Sequence, residues 1–208
     1  MLMVIFILHM KERVLKMYKI IAIIGKSGSG KSTLAKNICK QFNAHDVVRS
    51  TTRPRRDNEV DGIDYKFTTL DEMAKNILQY LDIQIFDTVD AKWAYGTNIQ
   101  QLNKEKINVV VLNYDAIEQI IENVGLNILF VFVDARDDIR LMRSIEREQN
   151  PNCREICRRF LADSKINEDE YKDTIEEYDF NYINIDTTNK APYDCAKEVW
   201  SKSLKYFK

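Results

Sequence analysis

The chain has 208 residues, with 31 basic against 32 acidic side chains and a formal net charge of −1. That length holds one α/β domain with a full core and room for inserted subdomains, and the balanced charge excludes a general nucleic-acid coat or an acidic tail. Two histidines, His9 and His45, leave little for histidine-based catalysis, and Cys39, Cys153, Cys157 and Cys195 lack zinc-type CxxC pairing, as expected of reduced thiols in a cytoplasmic protein.

Val4 to Leu8 is apolar but far short of the roughly 20 residues that a membrane span needs. It lacks a small-residue cleavage site, so neither an anchor nor a signal peptide is expected. Residues 1–17 read as an N-terminal extension outside the domain, either disordered or upstream of a true start at Met10 or Met17. Tyr18–Ile24 is a β-branched, apolar run suited to a buried strand. It leads into Gly25-Lys26-Ser27-Gly28-Ser29-Gly30-Lys31-Ser32-Thr33 and then the helical spacing of Leu34, Ile38 and Phe42. This is the GxxxxGK[ST] phosphate loop (Walker A) in the strand-to-helix context that the motif requires. Glycines let successive backbone N–H groups curl around phosphate oxygens, and the helix N-terminus favours the anion. Lys31 is placed to reach the β- and γ-phosphates, and the Ser32 hydroxyl to ligate Mg²⁺.

Asp46–Val48 reads as a second short strand. Residues 49–62 are polar, with turn signals at Pro54, Asp57-Asn58 and Asp61-Gly62. Asp64–Phe67 alternates like an edge strand. Leu70, Met73, Ala74 and Ile77 have helical spacing, with Thr69 as N-cap and Glu72 three residues on. Tyr80–Phe86 and Lys92–Thr97 read as two strands around the polar turn Asp87–Ala91, so residues 49–99 form a small α+β insert. Ile107–Leu112 is apolar except for Asn108, as in a strand covered on both faces. Ala116, Ile117, Ile120, Ile121 and Val124 make a helix stripe closed by Gly125, and Leu126–Val133 is another buried strand. Asp137–Lys165 is helical, dense in arginine and broken near Asn150-Pro151. Glu168–Tyr178 is an acidic helix, Phe180–Ile185 a last strand and Pro192–Tyr206 an amphipathic C-terminal helix. This alternation predicts an α/β three-layer sandwich with a mainly parallel sheet. Its core is residues 18–48 and 100–208, with a helical lid at about 137–160.

The run Ser50-Thr51-Thr52-Arg53-Pro54-Arg55-Arg56 continues through Glu59, Gly62, Asp64, Tyr65 and Phe67. Together with the phosphate loop about twenty residues upstream, it resembles the TTRxxRxxExxGxDYxF segment of the guanylate kinase family. Tyr95-Gly96-Thr97 matches that family's YGT-type element, and Arg143, Arg147 and Arg159 match its arginine-rich lid. The resemblance covers about residues 18–206. Physical reasoning agrees with it. Arg53 and Arg56, three apart, can fork around an acceptor monophosphate through charge-assisted hydrogen bonds, and Tyr65 and Tyr95 offer hydroxyl donors. Arg143 and Arg147 share a helix face and, with Arg159, can neutralise charge on a migrating phosphoryl group. Whether Arg158 or Arg159 faces the site stays open.

Three departures concern the acceptor base. Arg49 stands where the family has a serine that reads the guanine oxygen; it can still donate to that carbonyl, but is larger and charged. Asp82 falls at the base-reading glutamate, with Gln84 as the competing assignment. Asn113-Tyr114-Asp115 replaces Asp-x-Asp, keeping Asp115, which in the family helps read guanine's amino group. Thr97 matches a residue that helps hold the base. The resemblance implies ATP- and Mg²⁺-dependent phosphorylation of GMP or dGMP by a cytoplasmic monomer or homodimer, with no nucleic-acid or membrane partner. A kinase of the same fold acting on another (deoxy)nucleotide is the alternative. A non-catalytic binding module is disfavoured because Lys31 and Ser32 are intact.

Overall fold

The structure is a computed structural model that describes residues 18–55, 59–87, 91–124, 127–147 and 150–208. Its centre is β1 (Lys19–Ile24), flanked by β7 (Ile107–Val111) and β8 (Ile128–Asp134), with β2 (His45–Asp46) and β9 (Asn181–Asp186) at the edges. All pairings in this five-stranded sheet are parallel. The expected parallel architecture is therefore present.

The unbroken apolar runs follow from burial on both faces. Ile20, Ala22 and Ile24 of β1 face one core, and Ile21 and Ile23 face the other. The first core is closed by Ile117, Ile120 and Ile121 of α3 (Ile117–Val124) and Ile175 of α6 (Glu168–Glu177). The second is closed by Leu34 and Ile38 of α1 (Lys31–Phe42) and by Ala196 and Val199 of α7 (Pro192–Tyr206). Each fully buried isoleucine contributes on the order of 2–3 kcal/mol, so the sheet centre anchors whatever is mounted on its edge.

A second, four-stranded sheet contains β3 (Ser50–Thr51), β4 (Lys66–Phe67), β5 (Tyr80–Asp87) and β6 (Lys92–Asn98), in the order β4-β3-β6-β5. β3 runs parallel to β4 and antiparallel to β6, and β5–β6 is a hairpin. Beside it, α2 (Leu70–Lys75) starts with the expected capping box: Glu72 N–H donates to Thr69 Oγ1, and the Glu72 carboxylate accepts from Thr69 N–H. The arginine-dense segment forms α4 (Asp137–Glu146) and α5 (Cys153–Asp163), which pack against each other.

Most boundaries lie within two residues of the sequence reading. β2 begins one residue earlier than expected and pairs with β7 over two residues, after which Val47 N–H still reaches Val109 O at 2.9 Å. A single 3-10 turn, Tyr114–Ala116, precedes α3. The expected stop at Gly125 and the residue Arg56 lie outside the described residues, as does the segment 1–17. Among the described residues, no helix is long and apolar enough to cross a membrane.

Candidate active site

The C-terminal ends of β1, β7 and β8 converge on one edge, where ligands bind in open α/β sheets. β1 ends at Ile24, residues 25–30 form a loop, and α1 begins at Lys31. Gly28 has φ 75°, and a Cβ there would lie 2.2 Å from the Arg140 carbonyl oxygen of α4. A Cβ on Gly25 would lie 2.1 Å from Val133 O of β8. Glycine is required here because both flanking elements press on the loop backbone.

Several of the loop's donors are engaged within the chain. Lys31 Nζ donates to Gly25 O (2.6 Å) and Lys26 O (2.8 Å), so the side chain curls back over the loop. Burial lowers its pKa to about 8; Asp163 opposes that shift, while Arg140 and Arg147 add to it. Ser29 is buried and its Oγ has no hydrogen-bond partner. The Ser27 N–H donates to Asp163 Oδ2 at 2.7 Å, placing a carboxylate from the end of α5 against a loop amide.

Arg140 holds that arrangement. Its Nε donates to Ser27 O (3.0 Å), its Nη2 to Asp163 Oδ2 (2.9 Å) and its Nη1 to Asp137 Oδ1 (2.6 Å). The guanidinium lies 5.4 Å from the centre of the Phe160 ring, and the side chain is 3% exposed. Sequence reasoning missed both Arg140 and Asp163. Asp163 lies 136 positions from its loop partner, so no local pattern announces it. Arg140 is hidden among arginines that read alike.

A cleft opens between this edge and the second sheet. Ser32 of α1, Arg49, Arg53, Tyr65 and Tyr95 of the insert, and Arg147 and Arg159 line it. Thus most sequence-selected phosphate-handling residues meet there. Arg53 Nη2 donates to Glu59 Oε1 (2.7 Å) and Nη1 to Pro54 O (2.8 Å), with the guanidinium 5.4 Å from the Tyr65 ring centre. Burial opposes the Arg53 charge, but hydrogen bonding to Glu59, and the proximity of Tyr95, more than offset it and raise the pKa. Burial also raises the pKa of Tyr65, with Tyr95 adding to the shift, which keeps its hydroxyl a donor.

Arg159 faces the cleft, whereas Arg158 is not part of its wall. Both grip Glu155: Arg159 Nε at 2.7 Å, Arg158 Nε at 2.8 Å and Arg158 Nη2 at 2.9 Å. The Arg158 hydrogen bond, resisted by burial and reinforced by Arg159, pulls the Glu155 pKa down to about 2. Arg143 takes another direction. Its Nη1 and Nη2 donate to Thr187 Oγ1 (3.0 Å) and Thr187 O (2.9 Å), beside Gly30 of the loop. It therefore stands on the phosphate-loop side, outside the cleft wall.

The base-reading positions are rearranged. Arg49 Nη2 donates to Asp82 Oδ2 and to Gln84 Oε1, and its Nε to Thr97 Oγ1. Asp82, Gln84 and Thr97 are buried behind Arg49 and do not line the cleft. Asp82 and Thr97, expected to face the base, are both buried and hydrogen-bonded to the Arg49 guanidinium. Asp115 is exposed, hydrogen-bonded by Tyr171, and likewise off the cleft wall. Ser32 opens α1 with an exposed side chain on the cleft. A single hydroxyl suits Mg²⁺, which draws most of its ligands from phosphates and water.

A sequence model described as guanylate kinase matches residues 17–191. A guanylate kinase of Helicobacter hepaticus is 28% identical over 201 residues, covering 90% of this chain and 91% of its own length. One from Campylobacter jejuni is 28% identical over 192 residues, covering 86% of each. In fold, the chain is similar to the crystal structure of guanylate kinase from Anaplasma phagocytophilum, with TM-score 0.59 and 17% identity over 91% of this chain and 85% of that one.

Proposed function

The chain belongs to the guanylate kinase family, and from that premise we propose that it transfers the terminal phosphoryl group of Mg-ATP to GMP or dGMP, giving ADP and the nucleoside diphosphate. The observation that carries this reading is the cleft itself. It joins the phosphate-loop helix at Ser32 to the insert's Arg53, Tyr65 and Tyr95 and to Arg147 and Arg159.

Each group has a task that its environment suits. The loop amides and Lys31 hold the donor's phosphates, and Ser32 supplies the protein oxygen for Mg²⁺. Bound Mg²⁺ neutralises charge on the donor phosphates. Arg53, stacked on Tyr65, fixes the acceptor phosphate, assisted by Tyr65 and Tyr95 hydroxyls and by Arg56 of the same motif. Arg147 and Arg159 approach from the lid and offset charge on the group in transit. Arg143, tied to Thr187 beside Gly30, serves the donor side. Little proton transfer is needed, so positioning and electrostatics supply most of the acceleration.

The reading is tested by coupled ADP release from Mg-ATP with GMP, dGMP, AMP, dTMP, CMP and UMP as acceptors. Turnover is expected with the guanine nucleotides and is expected to fall by at least 100-fold in Lys31→Ala. Absence of acceptor-dependent ADP release from folded protein sinks the proposal.

A further inference from the structure

The acceptor cleft has a cationic wall whose wiring determines what it can read. Arg49 is 6% exposed yet lies on the cleft. Its Nε donates to Thr97 Oγ1 (3.1 Å), its Nη2 to Asp82 Oδ2 and to Gln84 Oε1 (3.1 Å), and its Nη1 faces Val111 O at 3.5 Å. A guanidinium carries five N–H donors and no acceptor. These contacts use four donors and leave a fifth, on Nη1, on a side chain that lines the cleft. The side chains behind it are turned toward Arg49. Asp82 is 2% exposed, and its second oxygen, Oδ1, is buried without a partner. The carboxylate is thus sealed from the cleft by the cation that it holds.

We propose that Arg49 is the specificity-determining residue of the acceptor site: it selects a base bearing a ring carbonyl, and Asp82, Gln84 and Thr97 are positioning residues that act through it. This rests on the acceptor-site reading above and deepens it. A serine hydroxyl both donates and accepts, so it can turn to suit a carbonyl or an amino group. Arg49 only donates. The carbonyl at C6 of guanine or hypoxanthine accepts from it, whereas the amino group at the same place on adenine sets donor against donor and leaves one guanidinium N–H desolvated without an acceptor. The four existing bonds hold the guanidinium in one orientation, so it cannot swing to relieve that clash.

The test compares kcat/KM for GMP, IMP, AMP and 2-aminopurine riboside monophosphate, with calorimetric binding of each run in parallel. GMP and IMP, which share the carbonyl, are expected within about tenfold of each other. AMP and the 2-aminopurine nucleotide, which lack it, are expected at least roughly 100-fold below GMP, as for sites built to pair one polar group. Arg49→Met, Asp82→Asn and the double variant then separate reader from holder. Arg49→Met is expected to collapse the GMP-to-AMP ratio by about 30-fold or more, and Asp82→Asn by less. The double variant should match Arg49→Met alone, because residues acting through one another are not additive. Arg49→Lys keeps a cation against Asp82 and still weakens the ratio; it carries the test if the methionine variant does not fold. Turnover with AMP within about threefold of GMP in the unaltered protein overturns the inference and leaves the kinase reading standing. Additive losses in the double variant overturn it by making Asp82 a reader in its own right. If no monophosphate is turned over, the kinase reading fails, and the calorimetric GMP-to-AMP ratio decides the role of Arg49 by itself.

Discussion

Lys31 shows how a single residue carries both a cost and a use. Its ammonium is buried against two loop carbonyls, and burial, partly offset by Asp163, lowers its pKa from 10.5 to about 8. Between those values the unfolded chain binds more protons than the folded one, so the nucleotide-free fold gains stability as pH rises through that window. Polyphosphate binding reverses the balance, because an anion beside Lys31 favours its charged form. ATP affinity is therefore expected to be steady up to pH 8 and to fall above it, with proton uptake on binding. Calorimetric titration from pH 7 to 10, in two buffers of different ionisation enthalpy, measures both. A flat affinity with no proton uptake contradicts this account of Lys31, and Lys31→Met should abolish the pH dependence. At this scale the motif residues were legible because their chemistry is local. The wiring of Arg49 was not, since its partners Asp82, Gln84 and Thr97 lie 33 to 48 positions away.

Among elements, the α4–α5 pair bears most directly on the loop. Asp163, near the end of α5, accepts from Ser27 N–H and from Arg140 of α4, so one carboxylate joins both helices to the phosphate loop. Charge-assisted hydrogen bonds of this kind contribute about 1.5–3 kcal/mol each. Asp163→Ala is therefore expected to lower stability by about 2–3 kcal/mol, leaving the buried Arg140 with Asp137 and the Ser27 carbonyl alone. Urea unfolding measures the loss, and amide exchange should quicken in α5 before it does in the central sheet. A change below about 0.5 kcal/mol contradicts the role given to Asp163. The elements themselves were largely legible. Apolar runs named the central strands because both faces are buried, and Thr69 with Glu72 marked the start of α2. The two-residue strands β2, β3 and β4 were the hardest to place, since segments that short carry almost no periodicity. Their existence depends on pairing, β2 with β7, β3 with β6 and β4 with β3.

For the molecule as a whole, alternating strands and helices were enough to derive a mainly parallel sheet, and the fold has one; in residues 49–99, read from sequence only as a small α+β insert, the structure has a four-stranded sheet. What sequence could not supply was which side chains share the cleft. Most of the residues proposed to handle phosphate gather there from three parts of the chain, whereas Asp82 and Thr97 are buried against Arg49. The residues proposed to hold phosphate thus keep the family's pattern, and those at the proposed base-reading positions depart from it. The central claim, transfer of a phosphoryl group between the two sides of this cleft, is tested most directly by following label from [γ-³²P]ATP in the presence and absence of GMP. The account predicts label in GDP in equal amount to the ADP formed, and loss of that transfer in Arg53→Ala. Label appearing only as inorganic phosphate, at a rate indifferent to GMP, would contradict it.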